Sequence, residues 1–277
     1  MFREAKRPRP VEHLNLLVHL FWGLQKARIA AVQRANALGD KALDLHELVG
    51  VVAKLERDVA KALRECVNNH PLWTYWMRDV VGLGEILSGQ LIILIHGKKH
   101  TEECTKKREK YLSKKKKGES KREKSFKCNC PEMDIERFPN PSSLWKYAGF
   151  DPVDGKARRR KRGEPAKWNH KLKSTCYNVV DSMVKNRKSD YRPLYDQFKA
   201  QEQKNHGNLS IGWIENRTRR KVAKRFLLDL FLKWYELKGL TPPKPYVIAI
   251  LGHTEIPLPT KDEKETTKKE AKKEKSE

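Results

Sequence analysis

The sequence predicts a mostly α-helical protein: a long helical hairpin, then a compact helical domain. Three observations carry that prediction. Leu14, Leu17, Phe21, Leu24, Ala31, Ala35 and Leu38 recur at heptad spacing, stop at Gly39-Asp40, and give way to Leu45, Leu48, Val52, Leu55, Val59, Ala62 and Cys66. Two such runs joined by a Gly/Asp turn make an antiparallel hairpin, or half of a coiled-coil dimer. Later in the chain, Leu172, Cys176, Val179, Val180, Met183 and Val184 fall on one helical face, as do Val222, Phe226, Leu227, Leu230, Phe231 and Trp234. Between the two regions, Val80-Val81-Gly82-Leu83-Gly84 leads into Ile86, Leu87, Leu91 and Ile92 at helical spacing. A Gly-hydrophobic-Gly turn entering a helix resembles the hairpin of helix-hairpin-helix modules, and a plain glycine turn between two core helices is the competing reading.

The elements divide the chain as follows. Residues 1–10 form a basic arm, and residues 11–70 the helical hairpin. Arg28 interrupts the first seam once, and Phe21 and Trp22 widen it enough to suit a helix from a second subunit. A simple helical core layer would use the same residues. His70-Pro71 ends the hairpin, and residues 71–97 and 131–250 make the compact domain. Residues 98–130 read as a lysine-rich insertion, since residues 98–127 hold fourteen Lys and Arg against five Glu and almost nothing apolar. Another helix is expected from Tyr191 to Ala200. Pro242-Pro243-Lys244-Pro245 stops the last one, and residues 251–277 form a charged tail.

Sixty Lys and Arg against thirty-five Asp and Glu give the 277-residue chain a formal charge of +25. The expected partner is therefore polyanionic, which charge alone does not resolve into DNA or RNA. The longest apolar run, Leu91 to Ile95, is too short to span a membrane. No secretory signal is read at the start, and five unevenly spaced cysteines do not form a secreted disulfide framework. The expectation is a cytoplasmic protein with reduced thiols and no membrane partner.

The strongest local signal lies at Leu144 to Lys173. A short apolar helix from Leu144 ends at Gly149, a turn runs from Asp151 to Gly155, and Arg158, Arg159, Arg160, Lys161 and Arg162 follow, closed by Gly163. Adjacent cations cannot be buried unpaired, and arginine forks match phosphate geometry. Trp145, Tyr147, Phe150 and Trp168 flank the run, which favours a folded presenting platform over a solvated loop. A second basic edge, Arg217, Arg219, Arg220, Lys221, Lys224 and Arg225, opens the last helix, where the helix dipole disfavours cations unless an anion is present. The residues expected to contact nucleic acid are Gly82 and Gly84 through their backbone, with Lys156, Arg158, Arg159, Arg160, Lys161, Arg162, Lys167, Arg217, Arg219 and Arg220.

Other chemistry is thinner. His96, His100 and Cys104 share i, i+4, i+8 spacing, which puts them on one helical face, with Cys128 and Cys130 after a loop. Zinc held by His100, Cys104, Cys128 and Cys130 is one reading, although Cys-x-Cys is not the usual ligand pair, and ordinary free cysteines are the other. No Walker loop, dinucleotide fingerprint, HExxH or nucleophile elbow occurs. No cofactor other than that zinc is implied, and no catalytic residue stands out.

The order of these blocks resembles a known family. A helical hairpin, PLW, VVGLG, DIERFPNPSSLWKYAGFDP, DGKARRRKRG and WNHKLK is similar to the C-terminal part of the RNA-guided insertion-sequence transposases of the one-hundred-ten, one-sixteen and nine-oh-two family. Val81 to Gly84 match that family's PGIG turn, with Val for Pro. Asp134-Ile135, Arg137 to Pro139, Ala148-Gly149 and Pro152 match its second block. Gly155-Lys156, Arg158 to Gly163 and Asn169 match its third, and the likeness spans about residues 20 to 250. The resemblance implies a coiled coil and a DNA-binding transposase domain acting in transposition and recombination. It also implies a Mg²⁺-binding RuvC-like domain, which here would come from elsewhere because the chain begins at the coiled coil. Asp154 stands where the family carries its nucleophilic serine, Ser142 and Ser143 read as helix caps, and Ser174 falls within a helix. The combined expectation is a dimeric nucleic-acid-binding relative of these transposases, DNA ahead of RNA, that has lost strand-exchange chemistry. The alternatives are a transposase subunit with a separately encoded RuvC-like domain, and an RNA- or ribosome-binding protein.

Overall fold

The computed structural model describes residues 10–39, 43–98, 101–113, 128, 130–153, 156–160, 166 and 168–243. The basic arm up to residue 9, Lys114 to Lys117, Asp154, and the tail lie outside the described residues.

The protein is mostly α-helical. Helix α1 (Pro10–Leu38) and helix α2 (Leu43–Asn68) form the hairpin. They pack on each other, and both touch α4 (Glu85–Ile95). Leu14, Leu17, Val18 and Phe21 from α1 meet Ala60, Leu63 and Val67 from α2 in the same core as the rest of the protein. The root of the hairpin is therefore part of the main body. Arg28, the break in the first seam, bonds Glu56 across the hairpin at 2.5 Å. A partly buried polar pair in an apolar seam favours one register, because a slipped register would separate the two charges.

His70 caps the short helix α3 (Pro71–Tyr75), its Nδ1 accepting from Leu72 N at 3.2 Å. A 3-10 turn at Met77–Asp79 follows, so the limb before the glycine turn is short. Helix α4 is buried nearly all round, as its apolar run requires. Strand β1 (Gly97–Lys98) pairs antiparallel with β2 (Glu132–Met133) across the lysine-rich segment, Gly97 opposite Met133. Within that segment lies helix α5 (Glu102–Ser113).

Helix α6 (Pro141–Tyr147) and a two-residue hairpin of β3 (Pro152–Val153) and β4 (Lys156–Ala157) come next. Helices α7 (His170–Lys185), α8 (Tyr191–Asn205) and α9 (Ile211–Leu237) complete the fold. Helix α9 is the central post, and the six apolar residues expected on its face are all essentially inaccessible. It begins at Ile211, ahead of the first of these apolar residues, with Ser210 extended at its N-cap.

At one end of the body, His96 Nδ1 meets Asp134 Oδ1 at 2.8 Å, and Lys238 bonds the other Asp134 oxygen at 2.7 Å and Glu136 at 2.5 Å. This latch ties the ends of α4 and α9 to β2. Burial pushes Asp134 up, but hydrogen bonds from His96 and Lys238 outweigh it and hold its carboxyl at about 2. The Asp134 bond in turn raises His96 against burial.

Candidate functional site

The arginine run rises from a tightly specified platform. Asn140 Oδ1 accepts from Ser143 N at 2.9 Å and Ser143 answers the Asn140 N–H, a capping box that starts α6. The helix ends with Gly149 N donating to Lys146 O and Phe150 N to Trp145 O, a Schellman stop. Gly149 has φ +73°, and a Cβ there would lie 2.7 Å from the Trp168 ring, so only glycine fits. Asn169 returns the chain: its Oδ1 caps α7 through Leu172 N, and its Nδ2 donates to Tyr147 Oη at 2.9 Å. At the base of the β3–β4 hairpin, Arg158 grips Asp151 with two bonds of 2.7 and 2.6 Å. Arg158 thereby anchors the run, and Arg159 and Arg160 stand exposed beyond it.

Two helices bring further cations to this platform. Lys173 of α7 donates to the Arg158 carbonyl at 3.0 Å and lies over the Trp168 ring at 4.9 Å. Lys224 of α9 sits 4.5 Å over Trp145, whose Nε1 donates to the Lys224 carbonyl. Burial, then Arg220 and Arg158, push the Lys173 ammonium below the usual lysine range against the pull of Asp151. Burial and then Arg220 do the same to Lys224. Among the described residues, no carboxylate forms an ion pair with Lys173, Arg220 or Lys224. Among the described residues, the carboxylate that acts on both lysines is Asp151, which is already held by Arg158. Arg159 lies 5.8 Å over Trp213, whose ring is 57% exposed. Lys171 faces Trp22 of α1 at 4.3 Å. An unneutralised, half-buried cation cluster is electrostatically costly, and an anion placed among its members would relieve their mutual repulsion.

The rest of the basic edge of α9 is different. Arg217 and Lys221 both bond the buried Glu202 of α8, at 2.5 and 2.8 Å. Arg219 pairs with Asp181 of α7 and with Glu215. Arg225 pairs with Asp229, which also accepts from Tyr191 Oη. The expectation that this edge needs an external anion is corrected for these four: the anions come from α7, α8 and α9 itself. Arg220 and Lys224 remain.

Gly82 also has an internal role. It has φ +95°, and a Cβ there would fall 2.8 Å from Met183 Cα, so the glycine lets the turn lie on the backbone of α7. Gly84 opens α4 with free space around it, and Glu85 already supplies a negative charge to that helix start. Lys156 lies in β4, with only its backbone described, while Lys161, Arg162 and Lys167 lie outside the described residues. Sequence reasoning does not place Lys171, Lys173 or Trp213 at the site, and it has Lys224 only as one of six cations on the edge of the last helix. The lysines of the WNHKLK stretch are in view, but nothing in the sequence joins them to a helix about fifty residues later.

No protein-family model and no curated protein matches this chain. Among the described residues, no helix is long and apolar enough to cross a membrane.

A second cluster lies at the neck of the lysine-rich segment. The Sγ atoms of Cys104, Cys128 and Cys130 lie within 4.8 Å of one another, a group that could hold a metal ion. A hydrogen bond from the Thr101 backbone, then the Cys104 thiol, draws Cys130 below the usual thiol range. Burial, then bonds to its two neighbours, pushes Cys104 up to about 11. His96 is not part of this group. Helix α4 ends at Ile95 and α5 starts at Glu102, so the single helical face expected for His96, His100 and Cys104 does not exist. His96 turns to Asp134 and Glu132 instead, and His100 lies outside the described residues.

Proposed function

We propose that the protein binds nucleic acid by gripping its phosphate backbone at the platform formed by the β3–β4 hairpin, α7 and α9. The observation that carries this reading is the contrast along α9. Four of its cations are neutralised by the protein's own carboxylates, whereas Arg220 and Lys224 join Lys173 in a half-buried group that, among the described residues, has no carboxylate ion pair of its own. Arg159 and Arg160 extend the same charge outward. Phosphate is a matching anion, and the contacts are to backbone, which makes the binding strong in low salt and indifferent to sequence. The resemblance to insertion-sequence transposases favours DNA over RNA. The reading assigns no catalytic residue.

A second reading is single-stranded nucleic acid or RNA. It is favoured by Trp213, a large exposed ring beside Arg159 that offers a stacking surface for an unpaired base. In both readings the protein acts as a dimer through the hairpin, whose outer stripe of Leu48, Val51 and Leu55 is exposed. The thiol cluster suits zinc, which would serve there as a clip.

Crosslinking in cells, with sequencing of the bound nucleic acid, tests the main reading. Recovery of DNA supports it, recovery of RNA moves the protein to the second reading, and recovery of neither above background sinks both.

A further inference from the structure

We infer that Cys104, Cys128 and Cys130 form a mononuclear thiolate site for zinc that clips the two ends of the lysine-rich segment together. The inference rests on the zinc reading of the thiol cluster and is independent of nucleic-acid binding.

The topology explains how the thiols meet. Strands β1 and β2 pair Lys98 with Glu132, so the chain leaves and re-enters the body at one place. Cys104 lies in the first turn of α5, just past the exit, and Cys128 and Cys130 just precede the return. Cysteines separated by a long polar stretch are thereby held within 4.8 Å of one another. A tetrahedral ion with zinc–sulfur bonds of about 2.3 Å places its sulfurs about 3.8 Å apart. Small χ1 adjustments close that difference. The same span is tight for a multi-iron cluster, whose cysteines sit on separate metal atoms.

The surroundings of Cys128 and Cys130 do not read as core packing. A buried free cysteine ordinarily acts as a small apolar core residue, as Cys176 does. Cys128 and Cys130 are only half buried, in a segment with almost no apolar side chains, so packing does not explain their convergence. The N-terminal turn of α5 brings a positive dipole end to Cys104. Lys98 donates to the Cys128 carbonyl at 2.7 Å, which places an ammonium beside the group. Three thiolates around a divalent ion leave one net negative charge, which that ammonium offsets. Three soft donors select zinc over magnesium or calcium. They leave one tetrahedral corner for solvent or a further donor. The site is a clip because its ligands come from both ends of one loop, and metal binding there removes loop entropy that the two-residue β1–β2 ladder alone leaves unopposed.

The test uses the full chain purified under reducing conditions. Elemental analysis should find about one zinc per chain. Replacement by cobalt(II) should give the thiolate-to-cobalt charge-transfer band and the intense visible bands of a tetrahedral thiolate site. Cys104→Ser, Cys128→Ser and Cys130→Ser should each lose most of the cobalt spectrum while keeping the helical circular dichroism of the parent. Cys66→Ala and Cys176→Ala should keep the spectrum. Four results would overturn the inference: thiols that all react freely with a chromogenic reagent in excess zinc, iron with inorganic sulfide, preferential copper(I), or an undiminished cobalt spectrum in the triple serine variant.

Discussion

At the residue scale, the polar positions of the DIERF block serve the fold. Asp134 binds His96 and Lys238, and the Arg137 guanidinium lies over both the Phe138 and the Tyr147 ring, at 4.6 and 4.4 Å. The latch makes a pH prediction. Asp134 has a folded value of about 2 against the usual 3.8, so its stabilisation is complete above 3.8 and is lost as pH falls toward 2. His96 is raised above its usual 6.5, so its stabilisation is complete below 6.5 and is lost as pH climbs through the raised value. The latch is therefore whole between 3.8 and 6.5. Asp134→Asn should cost on the order of 2 kcal/mol there, with a smaller deficit on either side, by thermal melts across pH. A deficit that is flat with pH would mean that the charge pair is not what the substitution removes. Glycines make a second residue-scale prediction. Gly82→Ala should destabilise by about 1–2 kcal/mol or more, because it is strained and meets the α7 backbone. Gly84→Ala, with open space, should cost less, about 0.5 kcal/mol, which is the preference for glycine over alanine at an N-cap. A Gly84 variant as unstable as the Gly82 variant would contradict the packing account.

At the element scale, the apolar period reveals most of the helices. The faces of α7 and α9 are legible because their apolar residues repeat every three or four positions against polar neighbours, and α6 is legible from Asn140-Pro141 before it and Gly149 after it. The hairpin is legible only in part. Its heptad run on α2 includes Leu48 and Leu55, which are 57% and 49% exposed, and omits Leu63, which is fully buried. Helix α2 faces both α1 and α4, so its buried stripe swings round near its C-terminal end, and a single heptad frame cannot follow that change. Leu17 is 8% exposed and lies in the protein's own core, so a charge there would test folding. The variant that tests self-association is Leu48→Glu with Leu55→Glu. Light scattering should show a monomer in place of a dimer, with unchanged helical content. An equally dimeric variant, or a monomeric parent, would contradict the hairpin as a dimer interface.

At the scale of the whole molecule, the candidate site is legible in the sequence as a place and not as a set of partners. The arginine run and the aromatic residues round it point to the β3–β4 platform. Which cations are neutralised internally cannot be read there, because the carboxylates that pair with them, Glu202 and Asp181, come from other helices and leave no local pattern. For the same reason Lys173 escapes a sequence reading, and Lys224 is visible there only as one cation among six. The thiol cluster is half legible: the three cysteines are in view, but the two-residue ladder that brings them together is too short to leave a periodic signal. The central claim is that the unneutralised cations at the platform hold phosphate. The direct measurement is a salt titration of binding to two unrelated duplexes and one single strand. It compares the parent, a Lys173→Gln, Arg220→Gln, Lys224→Gln variant, and an equal-charge control at exposed positions of α2, Lys54→Gln, Lys61→Gln, Arg64→Gln. The platform variant should bind all three ligands more weakly, with the log–log salt slope flattened by about 0.7–0.9 for each phosphate it no longer neutralises. The control should keep the parent's slope. Equal slopes for parent and platform variant, or an equal weakening in the control, would contradict the claim.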